Sequence, residues 1–134
     1  MDANAAIELL KRIIATPSPS KQEEGVAGII ADVLERYRFD VHRKGNNVWS
    51  RSKNFDERKP TLLLDAHLDT VRPNGEWITD PFTPVVKDGK LFGLGSNDTG
   101  GSIVSMLATF LELGNRDIAC NLVFLGSAEE ENTG

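Results

Sequence analysis

Ile7, Leu10, Ile13 and Ile14 recur at spacings of three and four, which predicts a helix over residues 3 to 15 with one apolar face. Thr16-Pro17-Ser18-Pro19 ends it, because proline cannot continue helical hydrogen bonding and biases its predecessor toward extended backbone. Ser20 followed by Glu23 reads as a capping box for a second helix, whose apolar stripe is Val26, Ile29, Ile30, Val33, Leu34 and Tyr37. Val41, the turn-forming Lys44-Gly45-Asn46-Asn47 and then Val48-Trp49 predict two short, half-exposed strands joined by a reversal. Thr61-Leu62-Leu63-Leu64 is apolar without alternation, the pattern of a strand buried on both faces, and is expected at the centre of a parallel sheet. Residues 83 to 93 predict a hairpin turning at Asp88-Gly89. Ile103, Met106, Leu107, Phe110, Leu111 and Leu113 outline a third helix that Gly114 can close, and Leu122-Val123-Phe124-Leu125 is a second fully apolar strand.

Strand, hairpin, helix, strand is the order of a βαβ crossover. The fold class expected is α/β: a three-layer open sheet with mainly parallel central strands and flanking helices. With 134 residues, 40% hydrophobic and 26% charged, the chain has the composition of one globular domain. Fifteen Lys plus Arg against twenty Asp plus Glu give a net charge of −5, so attraction to nucleic acid or to anionic membranes is not built in. No apolar run approaches the roughly 20 residues that span a bilayer. The lone Cys120 and a start without a leader-like pattern point to a reducing cytoplasm.

Three polar groups sit where apolar elements end, and in open α/β sheets ligands bind at the carboxyl ends of strands. His67 and Asp69, two apart on extended backbone, point the same way, so the carboxylate can accept the imidazole N–H and leave the other nitrogen for a metal; a local hydrogen bond near a turn explains the pair equally simply. Gly93-Leu94-Gly95-Ser96-Asn97-Asp98-Thr99-Gly100-Gly101 lacks the pattern of a nucleotide loop. Its glycines would let backbone approach while Asp98 projects inward to bridge two cations, or Asn97 or Asp98 simply caps the following helix. Glu129-Glu130-Glu131 reads either as a solvated acidic turn or, with a cation present, as a ligand beside a proton acceptor. The three segments lie about 30 residues apart, yet a βαβ unit brings them to one edge.

This ordered set resembles the dinuclear zinc metallopeptidase family of acetylornithine deacetylase, succinyl-diaminopimelate desuccinylase, aminoacylases and glutamate carboxypeptidases. The resemblance runs through Ala66-His67-Leu68-Asp69-Thr70-Val71, Trp77 with Asp80-Pro81-Phe82, residues 87–98 and Ser127-Ala128-Glu129-Glu130-Glu131. It implies that His67 ligates one metal, Asp69 orients His67, Asp98 bridges both metals, Glu131 ligates the second, and Glu130 is the general base. It also implies a cis Asp98-Thr99 peptide. Asn46-Asn47-Val48-Trp49, Gly93-Leu94-Gly95-Ser96-Asn97-Asp98 and Glu129-Glu130-Glu131 look closest to acetylornithine deacetylases, including variants acting on succinylornithine. Leu94 and Gly100 depart from the arginine and lysine that many members carry there.

Zinc takes about four ligands, so two zinc ions, or Co2+ or Mn2+ in their place, need more than His67, Asp98 and Glu131. His42 is expected on the surface, away from the strand ends. The resemblance implies that residues 1–134 are the N-terminal portion of a catalytic domain, truncated at Gly134, with a lid and dimerisation domain and further ligands absent, and the ligand count agrees. The function expected of the complete enzyme is hydrolysis of the amide of a small N-acyl amino acid, in arginine biosynthesis, by a homodimer. A dipeptidase or carboxypeptidase of the same family, and a non-catalytic α/β domain with an acidic edge, are the alternatives. The segment alone is expected to self-associate through strand 121–127 or helix 103–113.

Overall fold

The computed structural model describes residues 1–132; Gly134, where a truncation is expected, lies outside them. Helix α1 (Ala3–Ile14) is opened by Asp2, whose carboxylate accepts the Ala5 N–H at 2.8 Å, and it buries Leu9, Ile13 and Ile14. Helix α2 (Glu24–Arg36) buries Val26, Ala27, Ile30, Ala31, Val33 and Leu34. Strands β1 (His42–Lys44), β2 (Asn47–Arg51), β3 (Thr61–His67) and β6 (Asn121–Ser127) form one sheet in the order β1-β2-β6-β3. Strands β4 (Val85–Lys87) and β5 (Lys90–Phe92) form a separate hairpin around Asp88-Gly89. Helix α3 (Ser102–Leu113) connects that hairpin to β6.

The crossover is present: β3 and β6 pair in parallel from Thr61 opposite Asn121 to His67 opposite Ser127. The β1–β2 and β2–β6 pairs are antiparallel, so the sheet is mixed and not mainly parallel. Val48, Ala66, Leu122 and Phe124 share a buried core with all three helices, centred on Phe110, whose ring lies 4.8 Å from Phe39 and 6.1 Å from Phe124. The opposite face, with Trp49, Val123 and Leu125, is half-exposed. No helix among the described residues is long and apolar enough to cross a membrane.

Several local expectations change. Strand β3 stands at the sheet edge, with Leu62 and Leu63 each 51% exposed, while β6 lies between β2 and β3. An apolar run records which residues favour burial but does not specify which neighbour covers them. Strand 121–127 is therefore interior, α3 packs its apolar face on the sheet, and among the described residues the sheet edges are β1 and β3. Strand β2 is interior in the sheet order yet half exposed as expected, with Val48 and Ser50 buried on the core face and Trp49 on the open one. The capping box is not formed: Glu23 makes no side-chain bond to α2, and the Ser20 hydroxyl donates to Asp69 at 2.6 Å. Gly114 does follow α3, in right-handed conformation; a Cβ there would lie 2.7 Å from the Phe110 carbonyl oxygen and 2.9 Å from the Phe39 ring. Close packing explains that glycine, not a left-handed turn.

Candidate metal centre

The parallel pairing delivers the end of β3 and the end of β6 to the same rim. His67, the last residue of β3, is buried, and the chain beyond it is pinned on both sides. Leu68 N–H donates to the Ser127 carbonyl at 2.7 Å, and Thr70 N–H donates to the Ser18 carbonyl at 2.9 Å. His67 Nδ1 lies 2.9 Å from the Asp69 main-chain oxygen and 3.4 Å from the carboxylate Oδ1. The imidazole N–H is thus held mainly by the Asp69 carbonyl, whereas the sequence suggested its side chain. A carbonyl only accepts, so Nδ1 carries the hydrogen and Nε2 is the nitrogen available to a cation.

Nε2 points at the glycine-rich segment. It lies 3.0 Å from Asp98 Oδ1, and the Thr99 hydroxyl donates to the His67 carbonyl at 2.7 Å. Ser96–Gly101 forms a wide helical turn leading into α3, with Asp98 and Thr99 departing from helical backbone and the Asp98–Thr99 peptide cis. Neither Asn97 nor Asp98 caps α3. The turn depends on missing side chains: a Cβ at Gly100 would lie 2.6 Å from the Gly95 carbonyl oxygen and from Leu10.

The acidic triplet follows β6 as a turn in which Glu129 adopts left-handed backbone (φ 65°). Four successive amides here are taken by side-chain oxygens from three different segments. Ala128 donates to Asn47 Oδ1 at 3.1 Å and Glu129 to Glu23 Oε1 at 3.1 Å; Glu130 and Glu131 donate to Asp69 Oδ1 and Oδ2 at 3.1 and 2.9 Å. The side chains of Glu130 and Glu131 are left free to face His67. Donor atoms of His67, Glu130 and Glu131 lie within 4.8 Å of one another, and Glu130 Oε2 is 3.8 Å from Nε2.

Burial opposes protonation of His67, but its hydrogen bonds to the Asp69 carbonyl and to Asp98, with the nearby Asp69 and Glu130 charges, hold its pKa above the ordinary value. Burial would raise Asp69, yet the Ser20 hydroxyl and the Glu131 and Glu130 amides outweigh it and hold that carboxyl below the ordinary value. A buried imidazole with its free nitrogen facing three carboxylates is a donor set suited to a divalent cation, which would take the place of the Nε2 proton.

All five residues singled out in the sequence, His67, Asp69, Asp98, Glu130 and Glu131, meet at this rim. His42 stacks on Trp49, with ring centroids 5.6 Å apart, in the strand at the far edge of the sheet. Glu23 was missed as a site residue. It is fully buried, and beyond Glu129 it accepts from Lys21 N–H at 2.7 Å and from Asn46 Nδ2 at 2.6 Å. The only signal for it was a charged residue just ahead of the apolar stripe, which a capping box explains as well.

The family model of Peptidase family M20/M25/M40 matches residues 63–134. The chain belongs to this family. Succinyl-diaminopimelate desuccinylase of Nitrosococcus oceani is 32% identical over 137 residues, covering 96% of this chain and 35% of that protein. Human carnosine dipeptidase 1 superposes with a TM-score of 0.74 at 23% identity, covering 98% of this chain and 33% of that one. The Bacillus subtilis YXEP protein, described as a dinuclear metal binding peptidase, superposes with a TM-score of 0.69 at 19% identity, covering 96% and 35%. At these identities the two structures establish the fold alone. The chain spans about a third of the length of the curated relatives it matches.

Proposed function

We propose that this segment supplies one side of the dinuclear metal centre of a hydrolase that cleaves the amide bond of an N-acyl amino acid. The observation that carries the reading is the convergence of one buried imidazole with carboxylates remote in sequence: His67 Nε2 at 3.0 Å from Asp98, in one cluster with Glu130 and Glu131. His67 and Glu131 would each hold a cation and Asp98 would bridge. Bound zinc, or Co2+ or Mn2+ in its place, supplies Lewis acidity toward the amide carbonyl and toward water. The Glu130 side chain, 62% exposed, reaches the open side of the rim, where it would take the proton of the attacking water and return it to the departing nitrogen. Asp69 would keep the imidazole and both glutamates in register.

Three protein ligands are too few for two zinc ions. The remaining ligands, the lid and the homodimer interface belong in this reading to polypeptide outside residues 1–134, in a cytoplasmic enzyme.

Two acyl groups fit the family. The motifs resemble acetylornithine deacetylases, whereas the relatives compared are named desuccinylases. Lys21 and Arg72 favour a succinyl group: with Glu131 they line an open pocket beside the centre, and neither forms an ion pair among the described residues. At a rim this acidic, a second substrate carboxylate needs such cations nearby.

The test is an assay of the complete enzyme containing this segment against N-acetylornithine, N-succinylornithine and N-succinyl-diaminopimelate, with metal content measured in parallel. Metal-dependent release of the free amino acid supports the reading. Cleavage of dipeptides alone moves the function to the peptidase branch, and a metal-free protein inert toward all of them leaves a non-catalytic domain.

A further inference from the structure

We infer that Glu23 is a positioning residue for the metal centre, fixing where Glu130 and Glu131 stand relative to His67 by gripping the backbone that carries them. The inference rests on the metal-hydrolase reading for what those glutamates do, but not for the grip itself. Glu23 is fully buried, and no cation pairs with it among the described residues. Its carboxyl oxygens take three hydrogen bonds, from Lys21 N–H, Asn46 Nδ2 and Glu129 N–H, at 2.7, 2.6 and 3.1 Å. These donors come from the approach to α2, the β1–β2 turn and the acidic turn. One side chain therefore ties three segments together at the back of the site.

The acidic turn needs such a tie. Three adjacent carboxylates repel one another, and Glu129 holds a left-handed backbone that a residue with a Cβ adopts at a cost. Its amide is the one that Glu23 accepts, between the Asn47 bond to Ala128 and the Asp69 bonds to Glu130 and Glu131. Without Glu23 the run of four anchored amides is interrupted at its strained residue, and the next two residues are the candidate proton acceptor and ligand. Groups that orient metal ligands typically change metal affinity by about 10- to 100-fold when removed.

The experiment compares wild type, Glu23→Ala and Glu23→Gln by Co2+ titration, with the visible Co2+ spectrum, and by amide hydrogen exchange of residues 128–131. Gln keeps an acceptor for the Lys21 and Glu129 amides, and Asn46 can turn its own amide to accept from Nε2, so Glu23→Gln should stay within about threefold of wild-type affinity. Glu23→Ala should weaken Co2+ binding at least about tenfold, alter the spectrum and speed exchange at Glu129 through Glu131. Should Glu23→Ala not fold, Asn46→Ala removes one of the three bonds from the periphery and should shift affinity and exchange in the same direction. A folded Ala variant with wild-type affinity and wild-type exchange overturns the inference. If wild type binds no Co2+, the metal reading fails, and exchange at Glu129 alone then decides whether Glu23 grips the turn.

Discussion

Asp69 accepts the Glu131 amide with the same carboxylate oxygen that takes the Ser20 hydroxyl, at 2.9 and 2.6 Å. Asp69, two residues beyond β3, thus anchors both the segment before α2 and the acidic turn after β6. Its effect on pH stability follows from the depressed carboxyl. A carboxyl whose folded pKa lies below its unfolded value of about 3.9 contributes stability that is present above that value and is lost as pH falls through the folded one. Acid unfolding of the metal-free protein should therefore become shallower below about pH 4 in Asp69→Asn. The amide sets a donor against either the Glu130 or the Glu131 N–H, and should cost about 1–3 kcal/mol at neutral pH by urea unfolding.

The two roles assigned to adjacent glutamates separate by substitution. In the complete enzyme, Glu130→Gln should keep the metal content of wild type while turnover falls by about 10²- to 10⁴-fold, the range typical of a lost general base. Glu131→Ala, His67→Ala and Asp98→Ala should each lower metal content itself. Elemental analysis beside steady-state kinetics distinguishes the groups, and Glu130→Gln with most of its activity would refute the proton-transfer role.

The helices were legible in the sequence because a 3.6-residue repeat is a local property: Ile13, Ile14, Val26, Ile30, Leu107 and Phe110 are buried where spacing puts them, although α1 turns Leu9 inward and leaves Ile7 of the expected stripe 45% exposed. The meeting of His67, Asp98 and the glutamates was legible because a parallel crossover fixes which strand ends coincide. Strand order was not. Nothing in Leu62-Leu63-Leu64 distinguishes an edge from a centre, and the antiparallel insertion of β6 beside β2 depends on contacts some 75 residues apart. Glu23 was illegible for the same reason, since its bonding partners lie 2, 23 and 106 positions away.

Core packing makes a prediction independent of chemistry. Phe110 is fully buried between Phe39 and Phe124 and joins α3 to the sheet that holds both halves of the site. Phe110→Ala should destabilise by about 3–5 kcal/mol, a sum of lost transfer energy and residual cavity. Chemical denaturation checks the value; a loss under about 1 kcal/mol would show that the core collapses to fill the space.

Lys21 and Arg72 should matter to the acyl group and not to the chemistry. Arg72→Met, alone and with Lys21→Met, should raise KM for N-succinyl substrates by about tenfold, the value of one exposed charge-assisted contact, while kcat and the kinetics of N-acetyl substrates change little. Equal losses on both acyl groups would place these cations at the amino-acid end of the substrate instead.

The exposed edge of β3 predicts self-association of the 134-residue chain. Among the described residues β3 pairs with β6 on one side only, so its other side offers a row of backbone donors and acceptors, beside Leu62 and Leu63 at 51% exposure. A second copy can satisfy those groups by pairing edge to edge, which also buries the four leucines. Light scattering across a concentration series should show a rising mass that Leu63→Lys, a charge placed on the edge strand, returns to that of a monomer. Because Leu63 faces away from the helices, circular dichroism should show the same folded signal for that variant. A wild-type chain that stays monomeric at every concentration would mean that the edge is blunted by the twist of β3 or by Asp65, and the strand-addition model would be wrong.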